Sequence, residues 1–377
     1  CIDAGNEEAV QMILTDMDNQ ARIQGFTVDI GADETDGTAW AGPPASKVIY
    51  VSKTGSDANN GLTWPTAKLT VQAGIDTAVA SDEVWVAGGI YQEFITLKKR
   101  VGVFGGFVVG QANKDMRNWV VNPTVLDGNN AGTVVKVAQG AFASTALDGF
   151  IVKRGKAGAP TTNYGGGLYC SVASAQIAND IFELNSAAYG GGLFLDWSPS
   201  VTTGNTIRSN SVTSNGGGIY ASNAPPTIQG SAFTSNTAAS GGGISLNQSS
   251  AVVDNCTLTG NTVTANGGGL YSTQAAPSIT NCSLTGNISN QSGGGLYADS
   301  SAYIAYNTAA NNRANNGGGM YLSGSVTASR NSIRGNVANA VNGGGGGIYL
   351  YSGSPTVTIN TIAGNSAATG GGIYGYS

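Results

Sequence analysis

Side chains that could perform acid–base chemistry are few in this chain and lie far apart. There is no histidine among its 377 residues, which excludes Ser-His-Asp and Cys-His nucleophiles and every histidine-ligated metal site. From residue 157 onwards the acidic residues are Asp180, Glu183, Asp196, Asp254 and Asp299. Cleavage of a polysaccharide needs carboxylates grouped on one surface, or a carboxylate with a Lys or Arg base. Because no such group emerges, we expect a protein without catalytic activity, and a polysaccharide lyase or hydrolase is the less favoured alternative.

Tyrosine is the residue type whose placement is regular. Nine Gly-Gly-Gly triplets recur along the chain, each followed by an aliphatic residue, and they begin at Gly165, Gly190, Gly216, Gly241, Gly267, Gly293, Gly317, Gly345 and Gly370. The position after the aliphatic residue is tyrosine in seven of the nine: Tyr169, Tyr220, Tyr271, Tyr297, Tyr321, Tyr349 and Tyr374. A tyrosine offers an apolar ring together with a hydroxyl group. The pattern predicts either a surface that contacts a glycan or a neighbouring subunit, or a row of rings that only stabilises a sheet.

The spacing of the triplets, 24 to 28 residues, indicates a solenoid, in which no unit can bury its apolar face alone. Each period contains three short apolar segments separated by Gly, Asn, Ser and Thr, and their local alternation has a period of two. We therefore predict an all-β, right-handed parallel β-helix with three short strands in each coil of about 25 residues. Each strand would pair with its counterpart one coil away, at about 4.8 Å. The right hand follows from the general chirality of parallel crossovers.

An asparagine recurs with the same period as the triplets, and it lies three residues after an apolar residue. We expect the asparagine amides to bond from coil to coil at a turn that tolerates the left-handed conformation. This structural row comprises Asn185, Asn210, Asn236, Asn261, Asn287, Asn312, Asn336 and Asn365. The aliphatic residue after each triplet is predicted to point inwards, because neighbouring side chains of a strand point to opposite faces.

Cys256 and Cys282 are 26 residues apart and share one position of the repeat. We expect them to stack in the interior as small buried side chains, and a disulfide between them is the alternative, with an awkward geometry because their Cβ vectors run parallel. Residues 57–61 (DANNG) carry oxygen ligands but are too short for an EF-hand loop, so an Asx-type turn is expected there. A structural calcium ion at this segment is the alternative, and no other cofactor is predicted.

The pairing of GGGLY with FELN and FTSN resembles the GGA-aliphatic and FxxN repeats of chlamydial polymorphic outer membrane proteins. More broadly, it resembles the right-handed parallel β-helix repeat proteins of bacterial surfaces. Residues 50–107 resemble the N-terminal entry of the pectate-lyase-like β-helix group. The resemblance covers residues 47–377 and implies this fold and an extracellular or cell-surface location. It implies no single activity, because that group mixes lyases, hydrolases, adhesins and inert scaffolds.

Four segments follow from these patterns: residues 1–34, a polar linker at 35–46, β-helix entry coils at 47–156, and the nine GGG coils at 157–377. Residues 1–34 resemble the closing segment that normally follows the last coil of such proteins. Two interpretations stay open. The chain is a fragment of a longer protein, or residues 1–34 of one subunit close the open C-terminal coil of the next and so build a head-to-tail homopolymer.

The chain carries 10% charged residues and a net charge of −5. This balance gives no electrostatic footprint for nucleic acid or an anionic membrane, and no stretch of about 18 apolar residues is present to span a bilayer. The sequence alone favours an extracellular structural protein that assembles with itself into a fibre or surface layer. The alternative is an adhesin or glycan-binding solenoid that contacts cell-surface glycans through its tyrosines.

Overall fold

The computed structural model describes residues 46–141, 144–158 and 163–376. The strands of these residues form four parallel sheets, in which each strand pairs with its counterpart one coil away. The predicted fold class is confirmed, since the architecture is an all-β, right-handed parallel β-helix of about nine turns. Residues 1–34 and 35–45 lie outside the described residues, together with the predictions made for them.

Sheets I and II contain the first two strands of each coil. Sheet I, whose later strands begin just after the glycine triplets, comprises Ile95–Leu97, Val135–Val137, Leu168–Ser171, Leu193–Asp196, Ile219–Ser222, Ile244–Asn247, Leu270–Ala275, Leu296–Ser300, Met320–Gly324, Ile348–Gly353 and Ile373–Gly375. Sheet II comprises Val48–Val51, Glu83–Ala87, Gly102–Phe107, Ala146–Asp148, Gln176–Ala178, Val201–Thr203, Thr227–Gln229, Val252–Asp254, Ser278–Thr280, Tyr303–Ala305, Thr327–Ser329 and Thr356–Thr358.

Sheets III and IV complete the coil. Sheet III, built from the apolar segments that precede the asparagines, comprises Gly89–Tyr91, Thr124–Asp127, Phe150–Lys153, Ile181–Glu183, Thr206–Arg208, Ala232–Thr234, Thr257–Thr259, Ser283–Thr285, Thr308–Ala310, Ser332–Arg334 and Thr361–Ala363. Sheet IV comprises Ser186–Ala187, Ser211–Val212, Thr237–Ala238, Thr262–Val263, Ile288–Ser289, Arg313–Ala314 and Val337–Ala338. Sheet IV was not predicted, because a two-residue strand is too short to show an alternating pattern.

Helical structure is confined to the entry region of the described chain. One α-helix, Val71–Thr77, begins after Thr70, whose side chain accepts a hydrogen bond from the Ala73 amide. It packs on the strands Val48–Val51, Glu83–Ala87 and Ile95–Leu97 and thereby covers apolar side chains of the first coil. Two 3-10 helices span Trp64–Thr66 and Lys114–Met116. Among the described residues no helix is both long and apolar enough to cross a membrane.

The core is a stack of aliphatic side chains from consecutive coils. In sheet I the residue after each triplet is fully buried from Leu168 to Ile348, as predicted, whereas in the last described coil Ile373 is 44% exposed because no further described coil covers it. Parallel pairing in register places each of these residues directly over its equivalent in the previous coil, for example Leu168 beside Leu193. Burial of this continuous apolar column, rather than any local propensity, is what stabilises strands of three to six residues.

The glycine triplets form a corner that only glycine can occupy. Gly216 has a φ of +73°, a left-handed conformation that residues with a Cβ adopt at a cost. A Cβ on Gly217 would lie 2.5 Å from the carbonyl oxygen of Gly242, and one on Gly218 would lie 2.4 Å from that of Gly243. The first glycine therefore turns the chain, and the next two allow the coils to approach.

The asparagine row lies inside the solenoid and forms a continuous chain of hydrogen bonds. Asn261 is fully buried, and its Oδ1 accepts from the backbone nitrogen and Nδ2 of Asn236 at 3.0 and 3.1 Å. Its own Nδ2 donates to Asn287 Oδ1 and to the carbonyl of Phe233, at 2.9 and 3.0 Å. The left-handed residue of this turn is the one before the asparagine, such as Ser235 with a φ of +55°.

Candidate functional site

The outer face of sheet I carries a column of aromatic side chains, about one for each coil. Along a strand the neighbours of each ring, such as Leu168 and Cys170 around Tyr169, are buried in the core, so the ring itself points outwards. Parallel pairing sets these rings beside one another from coil to coil. We call this set the aromatic column: Tyr169, Phe194, Tyr220, Ser245, Tyr271, Tyr297, Tyr321, Tyr349 and Tyr374.

Rings of the aromatic column stack on one another. The ring centroids of Tyr297 and Tyr321 are 4.7 Å apart and those of Tyr321 and Tyr349 are 5.2 Å apart, with both pairs of planes within 5° of parallel. Stacked rings cover each other's faces and leave their edges and hydroxyl groups towards solvent. Tyr321 and Tyr349 are therefore only 8% exposed although they point outwards. Burial raises the pKa of Tyr297 to about 12 and raises that of Tyr321 as well.

Ser245 interrupts the aromatic column. Its side chain is fully buried between the coils of Tyr220 and Tyr271, and its hydroxyl has no hydrogen-bond partner among the described residues. The interruption leaves two stacks. One consists of Tyr169, Phe194 and Tyr220, with centroids 5.5 Å apart, and the other runs onwards from Tyr271.

A second outward column lies two residues further along the same strands, about 7 Å from the first. Its members are polar, and we call it the polar column: Ser171, Asp196, Ser222, Asn247, Thr273 and Asp299. Sheet I thus presents an apolar row and, parallel to it, a row of hydroxyl, amide and carboxylate groups. Over the six coils from Tyr169 to Tyr297, each coil contributes one residue to each row, whereas two residues after Tyr349 and Tyr374 the chain has Tyr351 and Tyr376.

Hydrogen bonds from neighbouring coils fix the two carboxylates of the polar column. Asp196 Oδ1 accepts from Ser222 Oγ at 2.6 Å and from Asn223 Nδ2 at 3.2 Å, whereas its Oδ2 is 3.4 Å from Ser171 Oγ. Asp299 accepts from Thr273 Oγ1 and from the backbone nitrogen of Gln274, both at 2.9 Å. Donors of this kind orient a carboxylate without cancelling its charge, so the polar column is anionic.

A concave site of about 360 Å³ opens at the first stack, and we call it the aromatic bowl: Tyr164, Tyr169, Tyr189, Phe194, Asp196, Tyr220 and Ser222. Tyr164 and Tyr189 directly precede the first glycine of their triplets and pair through a parallel bridge. The Tyr164 ring is tilted by 32° against Phe194 at 4.7 Å, and the Tyr189 ring stands at 62° to that of Tyr220 at 5.2 Å. Because these rings are not parallel, ring faces as well as edges line the bowl.

The sequence reasoning missed the polar column and two tyrosines of the bowl. The polar column has a signal that could have found it, because a residue two places after an outward tyrosine in a strand also points outwards. Tyr164 and Tyr189 had a weaker signal, the recurrence of tyrosine immediately before Gly165 and Gly190. Their position lies outside any strand, so strand alternation says nothing about which way they face.

The cysteines lie in the interior, in a second row of hydrogen-bonded side chains. Among the cysteines that the structure describes, Cys170, Cys256 and Cys282 are all buried free thiols. The backbone nitrogen of Cys256 is 3.5 Å from Cys282 Sγ, and that of Cys282 donates to Asn307 Oδ1 at 2.8 Å. A hydrogen bond shared with Cys256, together with burial, raises the pKa of the Cys282 thiol. Cys256 and Cys282 therefore occupy two consecutive positions of an interior row that continues with asparagines, beginning at Asn307.

Carboxylates of the entry region and of sheets II and III are engaged in ion pairs and caps. Arg117 Nη2 lies 2.7 Å from Asp148 Oδ1, Arg208 Nη2 lies 2.6 Å from Glu183 Oε2, and Arg154 pairs with Asp127. Within residues 57–61, Asp57 accepts hydrogen bonds from the backbone nitrogens of Leu69 and Thr70. No group of three or more Asp, Glu or Cys side chains that could hold a metal ion occurs in the described ranges.

The family model for the right-handed β-helix region matches residues 118–284 and 226–377 of this chain. These matches cover more than half of the sequence, and the chain belongs to that family. No curated protein is significantly similar to it in sequence.

Similarity to solved structures is partial and comes at low sequence identity. The complex of XylC with xylose is 10% identical, with a TM-score of 0.46 over 77% of this chain and 69% of that one. Pectate lyase Pel9A is 14% identical, with a TM-score of 0.41 over 86% and 80% of the two chains. The GH136 lacto-N-biosidase from Eubacterium ramulus is 10% identical, with a TM-score of 0.43 over 86% and 68%.

Proposed function

We propose that the protein is an extracellular, non-enzymatic β-helix that binds glycans on the outer face of sheet I. The observation that carries this proposal is the pair of parallel columns, aromatic and polar, in register along consecutive coils. The location outside the cell rests on the resemblance of the repeats to those of bacterial surface proteins.

Glycans suit such a face because a sugar ring is itself amphipathic. Its C–H faces are apolar and match tyrosine rings and ring edges, whereas its hydroxyl groups both donate and accept hydrogen bonds. Ser222, Asn247 and Thr273 offer both donors and acceptors, and Asp196 and Asp299 offer acceptors. A surface of this composition holds a polyhydroxylated ligand through several modest contacts repeated from coil to coil, which favours extended chains of sugars.

Electrostatics narrows the ligand class. The two ionised side chains of the polar column are carboxylates, and the arginines beyond residue 157 lie on other parts of the coil. Arg208 and Arg334 end strands of sheet III, and Arg313 lies in sheet IV. From Tyr169 onwards a negatively charged polysaccharide would meet the like charge of Asp196 and Asp299 on sheet I, and the cation of this face, Lys136, lies one coil before Tyr169. The face therefore suits uncharged glycans.

The prediction that the protein has no catalytic activity stays a prediction. The carboxylates of sheet I belong to coils four apart, Asp196 and Asp299, rather than facing one bond as a glycosidase pair does. Incubation with neutral and acidic polysaccharides, followed by an assay for reducing ends and for unsaturated products, is the measurement. Release of either product would replace binding by catalysis as the primary function.

The test of binding is a glycan array probed with the labelled wild-type protein and with a variant carrying Tyr271→Ser, Tyr297→Ser and Tyr321→Ser. We expect the wild type to bind one or more uncharged glycans and the triple variant to lose most of that signal. The matched control is Tyr303→Ser, which removes a tyrosine that is 42% exposed on sheet II. Equal binding by the triple variant and the wild type, with both folded by circular dichroism, would refute the proposal.

A further inference from the structure

We propose that the aromatic bowl is a discrete subsite for one uncharged hexose unit, in which the carboxylate of Asp196 accepts hydrogen bonds from the hydroxyl groups of the sugar. The inference rests on the proposed function, and it adds the location of one binding subsite and the chemical class of its ligand. The rest of sheet I would then supply the repeated contacts that an extended glycan chain, anchored here, also needs for detectable binding on an array.

The shape of the bowl supports this assignment. Elsewhere in the aromatic column neighbouring rings lie within about 32° of parallel, from 5° for Tyr321 and Tyr349 to 32° for Tyr349 and Tyr374, and none stands edge-on to its neighbour. The bowl adds Tyr164 and Tyr189 beside the stack, inclined by 32° to Phe194 and 62° to Tyr220. Tyr164 is 40% exposed. An apolar sugar face can therefore lie against a ring face here, whereas the stacked tyrosines beyond Ser245 offer mainly edges.

This arrangement is particular to two coils. The residue before the first glycine of the triplet is tyrosine at 164 and 189, and it is small or polar in the other coils: Asn215, Ser240, Asn266, Ser292, Asn316, Gly344 and Thr369. The open concavity of about 360 Å³ is lined by five aromatic rings, with a single carboxylate among the lining residues. A concave site that combines aromatic ring surface with a few fixed polar groups is a usual form of a small-ligand site.

The carboxylate of Asp196 is held in place but retains free acceptor capacity. Oδ1 receives the two short hydrogen bonds, from Ser222 Oγ and Asn223 Nδ2. Oδ2 has only the long contact of 3.4 Å with Ser171 Oγ. A carboxylate oxygen accepts about two hydrogen bonds, so Oδ2 can receive hydroxyl groups of a ligand without losing an existing partner.

Selection against acidic sugars follows from the same carboxylate. A uronate differs from its hexose in a carboxylate group, which would meet Asp196 inside a site walled by apolar rings. Lys136 is the nearest cation along the aromatic column, beside Tyr169 in the preceding coil, and it is not among the residues that line the bowl. Like charges without a compensating cation raise the free energy of the complex.

The experiment uses matched pairs of probes: methyl glycosides of glucose, galactose and mannose, and the corresponding methyl uronides. Binding to the full chain is measured by saturation-transfer NMR and titration. We expect at least one methyl hexoside to bind and its uronide to bind at least about tenfold more weakly. Asp196→Asn should weaken binding of the hexoside by about tenfold, because it removes a charged acceptor, and should reduce the discrimination against the uronide. The amide oxygen of the variant can still accept from Ser222 and Asn223, so the fold is expected to persist.

The control is Asp299→Asn, which removes the other carboxylate of the polar column outside the bowl. Hexoside binding that is unchanged by Asp196→Asn, or changed equally by Asp299→Asn, overturns the subsite. If the triple tyrosine variant described above also keeps full binding on the array, the proposed function fails with it. If that variant loses array binding while Asp196→Asn has no effect, sheet I binds glycans but the bowl is not its anchor.

Discussion

Asp180 places a buried carboxyl group in an interior row that otherwise consists of uncharged side chains. It is 1% exposed and lies in the interior row that continues through Asn205, where asparagine is the commonest residue. Its Oδ1 accepts from the Phe150 amide at 2.7 Å, while Oδ2 is buried without a partner among the described residues. The equivalent atom of Asn205, its Nδ2, donates to the carbonyl of Ile177 at 2.8 Å. Burial raises the pKa of Asp180 well above its usual range.

Replacement Asp180→Asn should therefore stabilise the protein at neutral pH, by about 1–3 kcal/mol, because a donor replaces an orphaned acceptor. An acid whose pKa is raised by folding favours the folded state at low pH and loses that contribution as the pH rises through the raised value. The gain should accordingly be small near pH 4 and larger at pH 7. Urea unfolding of both proteins at the two pH values is the measurement. A variant that is no more stable than wild type at pH 7 would show that Oδ2 has a partner in solution.

Tyr297 and Tyr321 of the aromatic column should ionise late, because burial raises the pKa of both. Burial raises the pKa of Tyr297 to about 12, compared with about 10 for a free tyrosine. Because folding raises this pKa, the stacked column contributes its stability fully below about pH 10 and loses it as the pH rises towards 12. Alkaline titration followed by tyrosinate absorbance, compared between wild type and Tyr297→Phe, should show one late-ionising group fewer in the variant. If the tyrosinate absorbance of the two proteins differed already at pH 10, Tyr297 would be ionising as a solvent-exposed tyrosine and the stack would be open to solvent.

The direction of a single side chain could be predicted where the same residue type recurs at its position in successive coils. The outward direction of Tyr271 and the inward direction of Leu270 followed from strand alternation, because any other arrangement would expose the core. The degree to which Tyr321 is covered did not follow, since it depends on the rings one coil above and below. The same holds for Asp180, because the absence of a hydrogen-bond partner for its Oδ2 depends on the neighbouring coils.

At the scale of elements, the asparagine row links neighbouring coils at the turn between the short strands of sheets III and IV. Asn261→Ala would leave Asn236 without its acceptor and the carbonyl of Phe233 without its donor, all inside the core. We expect a loss of about 3 kcal/mol or more in stability, since several buried polar groups lose their partners together. Thermal unfolding followed by circular dichroism measures it.

The matched control for that experiment is Asn290→Ala, an exposed asparagine in the following turn, which should change stability by less than about 0.5 kcal/mol. Equal effects of the two substitutions would mean that the row is incidental to stability.

A sheet could be predicted from the sequence when its strands carry an apolar residue at the same position of successive coils. Sheets I, II and III each contain a position that is apolar in nearly every coil, with Thr202 of sheet II as an exception, and so they were predicted. Sheet IV consists of pairs such as Ser211–Val212, in which a two-residue pattern carries no period. The aromatic bowl was not predictable as an element, because it joins residues of a turn to residues of a strand across three coils.

At the scale of the whole molecule, head-to-tail assembly through residues 1–34 stays a prediction, since those residues lie outside the part of the chain that the structure describes. Electron microscopy of the intact chain should show filaments, and deletion of residues 1–34 should abolish them while the β-rich circular dichroism persists. Such filaments would display sheet I repeatedly along one polymer and multiply weak glycan contacts. Polymers that survive the deletion, or isolated short rods from the intact chain, would contradict this mode of assembly.

The claim that sheet I is the glycan-binding face is tested most directly by footprinting the tyrosines of the wild-type protein. Tyr164, Tyr351 and Tyr376 on the sheet I side are 40 to 56% exposed, and Tyr303 and Tyr306 on another side of the coil are 42 and 54% exposed. The two groups should therefore react alike with a tyrosine-modifying reagent when no ligand is present. With the strongest uncharged binder from the array, mass spectrometry should show protection within the first group and none in the second. Protection of Tyr303 and Tyr306, or of no tyrosine at all, would contradict the account.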